Sequence, residues 1–224
     1  LPPPFVDDWD EWLASGLASP RAIDVDGQGN LYVADQLARA VLKYDRYGRF
    51  VGSFLHDQAS GKGVAVTPDG LTLYASTKSS SVAIVNVADG SITGYLSGAN
   101  LVAPGRIDLD AGGYIFVADN GAQQSNVKIF FPNGTFKSAF GGNGTANGQF
   151  KSIADLVVNT HTERVFAASN LAELPRLQVF DLSGTYLSSV TNAFLYGTDN
   201  HSARGIAFEE RADGRAFVLR YLHS

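Results

Sequence analysis

The sequence predicts an all-β protein, a β-propeller of five four-stranded blades, and three observations support this fold class. Short apolar strand patterns recur along the chain at intervals of 42 to 51 residues. Turns rich in Gly, Asp and Asn separate them, as expected for antiparallel hairpins. No segment shows the apolar period of an amphipathic helix. With 224 residues, 45% of them hydrophobic, the chain is long enough to form one domain over residues 1–224 with a substantial core.

The most regular feature is a short strand whose second residue is aromatic. In the first repeat this strand is Leu31–Asp35, and the turn 26–30 joins it to an earlier alternating strand around Asp24. Gly and Asn in such a turn accept positive φ, which favours a hairpin. Third and fourth strands follow in four of the repeats, so each unit is predicted to be an antiparallel meander. We expect the aromatic residues to be buried between blades; they are Tyr32, Tyr74, Phe116, Phe166 and Phe217.

Radial stacking of such sheets as propeller blades buries both faces and leaves only short edges. The predicted repeats are about 19–55, 56–98, 99–141, 142–190 and 191–224, the last completed by residues 1–18. Residues 5–13 have the phase of a fourth strand. We therefore predict that they add to the outer edge of the last blade, residues 203–221, and close the ring.

The last blade lacks a third strand in this scheme, and three explanations are open. The blade is narrow, with three strands, or the chain is part of a six-bladed propeller, or a neighbouring molecule supplies a strand by β-augmentation. Otherwise the segment Arg215–Arg220 exposes unpaired N–H and C=O groups. We expect a homo-oligomer or filament with contacts in residues 1–8 and 215–224, against the alternative of a monomer with a narrow last blade.

Several motifs resemble the NHL-repeat family of β-propellers. They are Pro20-Arg21-Ala22-Ile23-Asp24-Val25-Asp26, Gly29-Asn30-Leu31-Tyr32-Val33-Ala34-Asp35 and Lys43-Tyr44-Asp45 in the first repeat, and Pro104-Gly105-Arg106-Ile107-Asp108, Val117-Ala118-Asp119-Asn120 and Gly148-Gln149-Phe150 further along. The resemblance covers nearly the whole chain and is strongest in the first and third repeats. The resemblance implies a propeller fold. In that family six blades are the commoner number. The resemblance implies little about function, because propellers host many activities.

Composition narrows the classes of function. The net charge of −5 argues against a nucleic-acid partner, because such binding depends on Lys and Arg that neutralise phosphates. Four His and no Cys argue against a zinc finger, an iron–sulfur site and thiol chemistry. No apolar run approaches the ~18–20 residues of a membrane span. We predict no cofactor.

The loops that enter the first strand and those that follow the second share one face of a propeller, here called the top face. Four cations and two carboxylates are predicted there: Arg21, Lys62, Arg106, Arg204, Asp35 and Asp119. One interpretation is a basic ring at the channel mouth that binds an anionic ligand. The other is that the Arg side chains pair with Asp35 and Asp119 on neighbouring blades, which needs no ligand. Long top-face loops, one of which contains His201, favour a protein or glycan partner.

A propeller enzyme of the lyase or hydrolase kind is the alternative function. The peptidyl-hydroxyglycine amidating lyases are similar to this chain in their NHL propeller, and that family holds a channel zinc with three His. Here His56 and His201 fall on top-face loops, but His161 falls in a turn on the opposite face and His223 lies near the last residue. A set of three His is therefore hard to assemble. We predict no catalytic residue, no metal ligand and a non-catalytic binding or scaffold module.

Three N-x-S/T sequons indicate a secreted, extracellular glycoprotein, with acceptors Asn133, Asn143 and Asn200. Asn133 is expected to be the best acceptor, because the segment Pro132–Thr135 forms a tight turn where a sugar meets no core. The chain begins Leu1-Pro2-Pro3-Pro4 without Met, so we expect that a leader was removed or that the chain is a fragment.

Overall fold

The computed structural model describes residues 16–121, 124–169, 176–190, 203–208 and 216–220. The regular structure in these ranges consists of β-strands. The described residues include no helix with the length and apolar character of a membrane span. The chain divides into two compact units, Leu1–Gly94 and Tyr95–Ser224.

The first unit contains two four-stranded sheets, each with its strands in chain order. Blade 1 consists of β1 (Pro20–Val25), β2 (Leu31–Asp35), β3 (Ala40–Tyr44) and β4 (Phe50–Phe54). Blade 2 consists of β5 (Ala59–Val66), β6 (Thr72–Thr77), β7 (Val82–Asn86) and β8 (Ile92–Tyr95).

The β1–β2 turn shows why these hairpins form where the sequence predicts them. Asp26 Oδ1 accepts the N–H groups of Gln28 and Asn30, each at 2.9 Å. Gly29 has φ = 84°, a left-handed conformation that Gly adopts without a steric penalty. The same aspartate device recurs at Asp45, Asp110 and Asp181. The hairpins are therefore specified by local side-chain to backbone hydrogen bonds.

Blades 1 and 2 pack face to face around a continuous core. Tyr32 is fully buried, and its ring centroid lies 6.3 Å from that of Phe54. Tyr74 is buried in blade 2. The predicted burial of both tyrosines is therefore confirmed. The other buried members of this core come from both sheets: Ala22, Ala34, Val41, Leu55, Ala59, Val64, Val66, Leu73, Ala75, Ala83 and Val85.

The second unit contains two four-stranded sheets and one two-stranded sheet. Blade 3 consists of β9 (Pro104–Leu109), β10 (Ile115–Gly121), β11 (Gln124–Phe130) and β12 (Phe136–Gly141). Blade 4 consists of β13 (Ile153–Asn159), β14 (Arg164–Ser169), β15 (Arg176–Asp181) and β16 (Tyr186–Val190). The two-stranded sheet pairs β17 (Ala203–Phe208) with β18 (Ala216–Arg220).

Aromatic side chains fill the core between blades 3 and 4. Phe116, Phe150 and Phe180 are buried there, and the ring centroids of Phe150 and Phe180 are 5.6 Å apart. The burial predicted for Phe116 is confirmed. Phe166 lies at the predicted place in β14 but is only half-buried, against Ala168, Leu177 and Ile206. The side chain of Phe217 lies outside the described residues.

The predicted number of blades is wrong. The described residues form four four-stranded blades, not the five of the predicted ring closed by the N-terminal strand, nor part of a six-bladed propeller. The fifth repeat forms only the two-stranded sheet, because its third and fourth strands have no counterpart among the described residues. Residues 5–13, which we predicted to complete that blade, lie outside the described residues. The single domain over residues 1–224 stays a prediction.

Candidate functional site

Asp35 lies at the end of β2, on the predicted top face, and its carboxylate is fully buried. It accepts the N–H groups of Ala18 at 2.7 Å and Ser19 at 2.9 Å, from the segment that precedes β1. It also accepts those of Leu37 and Ala38 in the next turn. Burial raises the pKa of Asp35, but these four N–H groups together bring it below its ordinary value. The carboxylate therefore ties two segments of its own blade together.

Asp119 occupies the corresponding place in blade 3. It accepts the N–H groups of Val102 at 3.0 Å and Ala103 at 2.6 Å, and it forms an ion pair with Lys128. The Lys128 ammonium also donates to the carbonyl of Asn100 at 2.7 Å, and both charged side chains are buried. Both carboxylates thus accept hydrogen bonds from groups of this chain. That Asp35 or Asp119 also binds a ligand directly stays a prediction.

Arg106 pairs across blades, though with a different partner from the predicted ones. Its Nε lies 3.2 Å from Asp155 Oδ1, so it joins β9 of blade 3 to β13 of blade 4. The proposed pairing with Asp35 or Asp119 is therefore not the one found for this arginine. Asp155 was missed by the sequence analysis. The sequence feature that could have identified it is an aspartate inside an otherwise apolar first strand, which also occurs at Asp24.

An aspartate of the first strand also binds the next sheet at three junctions. Asp24 accepts the N–H of Val66 at 2.7 Å in the first unit. In the second unit Asp108 accepts the N–H of Val158, and Asp155 that of Ile206, each at 2.6 Å. Burial raises the pKa of Asp155, although Arg106 and two backbone N–H groups oppose the shift. These carboxylates hold neighbouring sheets together, which supports a rigid scaffold beneath the loops.

The four predicted top-face cations divide between the two units. Arg21 in β1 and Lys62 in β5 are exposed and belong to the first unit. Arg106 is half-buried in the second unit. The side chains of Arg204 and His201 lie outside the described residues. The basic ring at a channel mouth accordingly stays a prediction.

A serine and a histidine meet at the end of β4. Ser53 Oγ and His56 Nε2 are 3.0 Å apart, and both side chains are near the surface. Leu55 and Asp57 beside them have φ of 55° and 59°, in the left-handed region that bulky residues rarely adopt. Asp57 lies 3.6 Å from Arg39, and no carboxylate of the described residues hydrogen-bonds His56. Within the described part of the chain, the pair therefore lacks the third group that orients a catalytic imidazole.

No group of three side chains suited to hold a metal ion lies together in the described ranges. His161, predicted to lie away from the top face, follows Asn159 in the β13–β14 turn, where its N–H donates to the Asn159 side chain at 3.1 Å. His201 and His223 are outside the described residues.

The outer edge of blade 1 presents an aromatic and basic surface that the sequence analysis missed. Tyr47, Phe50 and Val51 are 53%, 61% and 57% exposed and lie close together along the chain. The guanidinium groups of Arg46 and Arg49 each lie 5.3 Å from the centre of the Tyr47 ring. β4 is an edge strand of its sheet, so its outward N–H and C=O groups have no strand partner among the described residues.

Solved β-propellers share this fold. The chain matches the hydrazine synthase of Kuenenia stuttgartiensis with a TM-score of 0.67 and 15% identity, over 92% of this chain and 67% of that chain. It matches a chain of the mitotic checkpoint complex with a TM-score of 0.64 and 12% identity, over 87% of this chain and 55% of that chain. This propeller therefore spans about half to two thirds of the length of those two chains.

At these identities the likeness shows the propeller fold alone. No protein-family model matches the chain, and no curated protein matches it. Membership of the NHL-repeat family accordingly stays a prediction. The propeller fold suits a binding or scaffold module, since its blades form a rigid support for exposed loops and edges.

Proposed function

We propose that this protein is a secreted, non-catalytic propeller of the NHL type that binds a protein partner and serves as a scaffold. One observation carries the proposal, namely the aromatic and basic surface formed by Tyr47, Phe50, Val51, Arg46 and Arg49 at the open edge of blade 1. Aromatic and Arg side chains are the residues that most often dominate protein interfaces. The multi-protein assembly among the solved structures that share the fold is consistent with a protein partner.

The chemistry of this surface indicates an extended, acidic and aromatic segment as its occupant. An added strand satisfies the outward N–H and C=O groups of β4, while Phe50 and Val51 project from opposite faces of the sheet and contact alternate side chains of the partner. Arg46 and Arg49 favour carboxylates nearby. Asp45 lies 3.9 Å from Arg49 and offsets part of that charge.

A synthetic peptide with the sequence of residues 5–13 is a suitable probe, because it carries three aromatic and four acidic residues and no basic one. Fluorescence anisotropy should show that the labelled peptide binds the full chain. Val51→Lys should weaken binding at least about tenfold, because a charged side chain replaces an apolar contact. Leu187→Lys is the matched control, since Leu187 is exposed on the outer strand of blade 4. Equal binding to wild type and Val51→Lys, or no binding at all, contradicts the proposal.

The proposal includes the top face. Arg21, Lys62, Arg106 and Arg204 there favour an anionic surface on a protein or glycan partner. Arg21 and Lys62 are exposed on the first strands of their blades, which is compatible with this role.

Secretion and glycosylation are further parts of the proposal. Asn133 is exposed in the β11–β12 turn, and its Oδ1 accepts the N–H of Thr135 at 3.0 Å and its hydroxyl at 2.7 Å. Expression in a glycosylating secretory host should therefore add the mass of N-linked glycans to the polypeptide. The Asn133→Gln variant should carry one glycan fewer than wild type. Intact mass spectrometry that finds only the polypeptide mass contradicts this part of the proposal.

A further inference from the structure

Blades 1 and 3 close their top ends with the same device. A buried aspartate at the end of the second strand accepts two backbone N–H groups from the segment before the first strand. In blade 1 Asp35 accepts those of Ala18 and Ser19. In blade 3 Asp119 accepts those of Val102 and Ala103. Each aspartate faces the first residue of the first strand across the sheet.

Blade 4 has a serine where those blades have the aspartate. Ser169 faces Ile153, the first residue of β13, in the same register. Its side chain is fully buried, and its hydroxyl has no hydrogen-bond partner among the described residues. The segment before β13 ends at Lys151 and Ser152, and the N–H groups of these two residues have no acceptor among the described residues. Blade 4 therefore keeps the donors of the device but lacks its carboxylate.

A buried cation lies beside Ser169. Arg176 is directly opposite Ser169 in the β14–β15 ladder, so both side chains project from the same face of the sheet. Arg176 is only 6% exposed, and its Nη2 donates to the carbonyls of Ala146 and Gln149, each at 2.7 Å. Its Nε has no partner, and no carboxylate of the described residues lies within 4.0 Å of the guanidinium. Burial lowers the pKa of Arg176, as expected for a cation without a counter-ion.

In blade 4 the loop before β13 is held by Gln178 as well as by Arg176. Gln178 occupies the position of Lys128, and its Nε2 donates to the carbonyl of Gln149 at 2.8 Å, as Lys128 donates to that of Asn100. Blade 3 balances its buried cation with Asp119, whereas blade 4 has Arg176 and a neutral serine. A buried charge without an opposite charge beside it is costly, so this arrangement favours an anion next to Ser169.

We propose that the top end of blade 4 is a carboxylate-binding pocket in which Arg176 Nε, the Ser169 hydroxyl and the N–H groups of Lys151 and Ser152 donate to the ligand. The ligand takes the place that the chain's own Asp35 and Asp119 carboxylates take in blades 1 and 3. A carboxylate fits better than a phosphate, because the repeated device is built around a planar two-oxygen group. The ligand is a free small carboxylate.

The test measures thermal unfolding of the full chain in sodium formate and in sodium chloride at equal ionic strength. A free carboxylate site predicts a saturable rise in Tm of about 3 to 5 °C at tenfold excess over Kd, in formate only. Arg176→Gln should abolish that rise, whereas Arg164→Gln, an exposed arginine of β14, should retain it. Ser169→Asp supplies the missing carboxylate, so it should raise Tm without formate and remove the response to formate.

If Arg176→Gln does not fold, Ser169→Asp serves as the variant that removes the response. A wild-type protein whose Tm does not respond to formate, or a formate response that Ser169→Asp retains, overturns the proposal.

Discussion

At the scale of single residues, carboxylates that accept backbone N–H groups are the recurrent bonding element between blades. Asp24 and Asp155 belong to first strands, yet each binds an N–H of the following sheet. Burial raises the pKa of both, because desolvation disfavours the charged form more than the hydrogen bonds favour it. The junctions are thus held at an electrostatic cost that depends on pH.

Asp24→Asn tests this cost. The folded protein binds the Asp24 proton more tightly than the unfolded chain does, so this contribution to stability is complete below the ordinary pKa of 3.8 and is lost as pH rises through the folded pKa. Asn is neutral at every pH. The free energy of unfolding, measured with urea, should therefore increase for Asp24→Asn relative to wild type as pH rises from about 4 to 7.

Asp181→Asn is the control with the opposite sign. The Ser183 hydroxyl and neighbouring N–H groups lower the pKa of Asp181 to about 2, so its contribution is present above pH 3.8 and is lost as pH falls. The free energy of unfolding of this variant should therefore decrease relative to that of wild type as pH rises. Parallel pH profiles for the two variants contradict the assignment of Asp24.

Phe116 reports on the core at the same scale. It is 1% exposed between blades 3 and 4, so Phe116→Ala should lower the free energy of unfolding by about 3–5 kcal/mol. Leu37→Ala should change it by less than about 0.5 kcal/mol, because Leu37 is 69% exposed. Urea unfolding of both variants gives the comparison, and a cost below about 1 kcal/mol for Phe116→Ala contradicts the packing described above.

At the scale of elements, the end of the second strand decides how each blade is closed. Asp35 is satisfied by four N–H groups, and blade 1 has Leu42 at the position that Lys128 occupies in blade 3. Asp119 accepts hydrogen bonds from only two backbone N–H groups, and the Lys128 ammonium balances its remaining charge. The number of backbone donors determines whether a buried cation is required.

Lys128→Met should accordingly destabilise the protein by about 3–5 kcal/mol, since it leaves the Asp119 charge buried without its cation. Adding Asp119→Asn should recover part of the loss, because the remaining amide is neutral. Lys62→Met, at an exposed position, should cost less than about 0.5 kcal/mol. A double variant less stable than Lys128→Met by the full cost of Asp119→Asn alone excludes coupling between the two residues.

At the scale of the whole molecule, the described residues form four complete blades, and those of the fifth repeat form two strands. We expect self-association through residues 1–8 and 215–224, because a narrow last sheet leaves strand edges that another chain can cover. Light scattering should show a lower mass for a variant that lacks residues 1–4 and 221–224 than for the intact chain. If both are monomeric at high concentration, the assembly prediction is wrong.

Local patterns in the sequence are sufficient to predict most of the strands and turns. The segment from Ile115 to Asp119 was predicted as a strand, and β10 spans Ile115–Gly121. The turn at Asp26–Asn30 and the burial of Tyr32 were likewise expected. These features depend on neighbouring residues, since alternation sets the two faces of a strand and Asx or Gly residues set the turn.

The partners of the charged groups and the number of complete blades were decided by tertiary structure. Arg106 binds Asp155, which is 49 residues away, and Ser169 meets Arg176 only because β14 and β15 pair in one register. Neither arrangement leaves a local pattern in the sequence, because each depends on which segments the folded chain brings together. By itself the sequence determined most of the strands and turns and the burial of Tyr32, Tyr74 and Phe116. Only the tertiary structure decided which carboxylates are satisfied and that a buried arginine lies opposite Ser169 in blade 4, because these arrangements join segments brought together by packing of whole sheets.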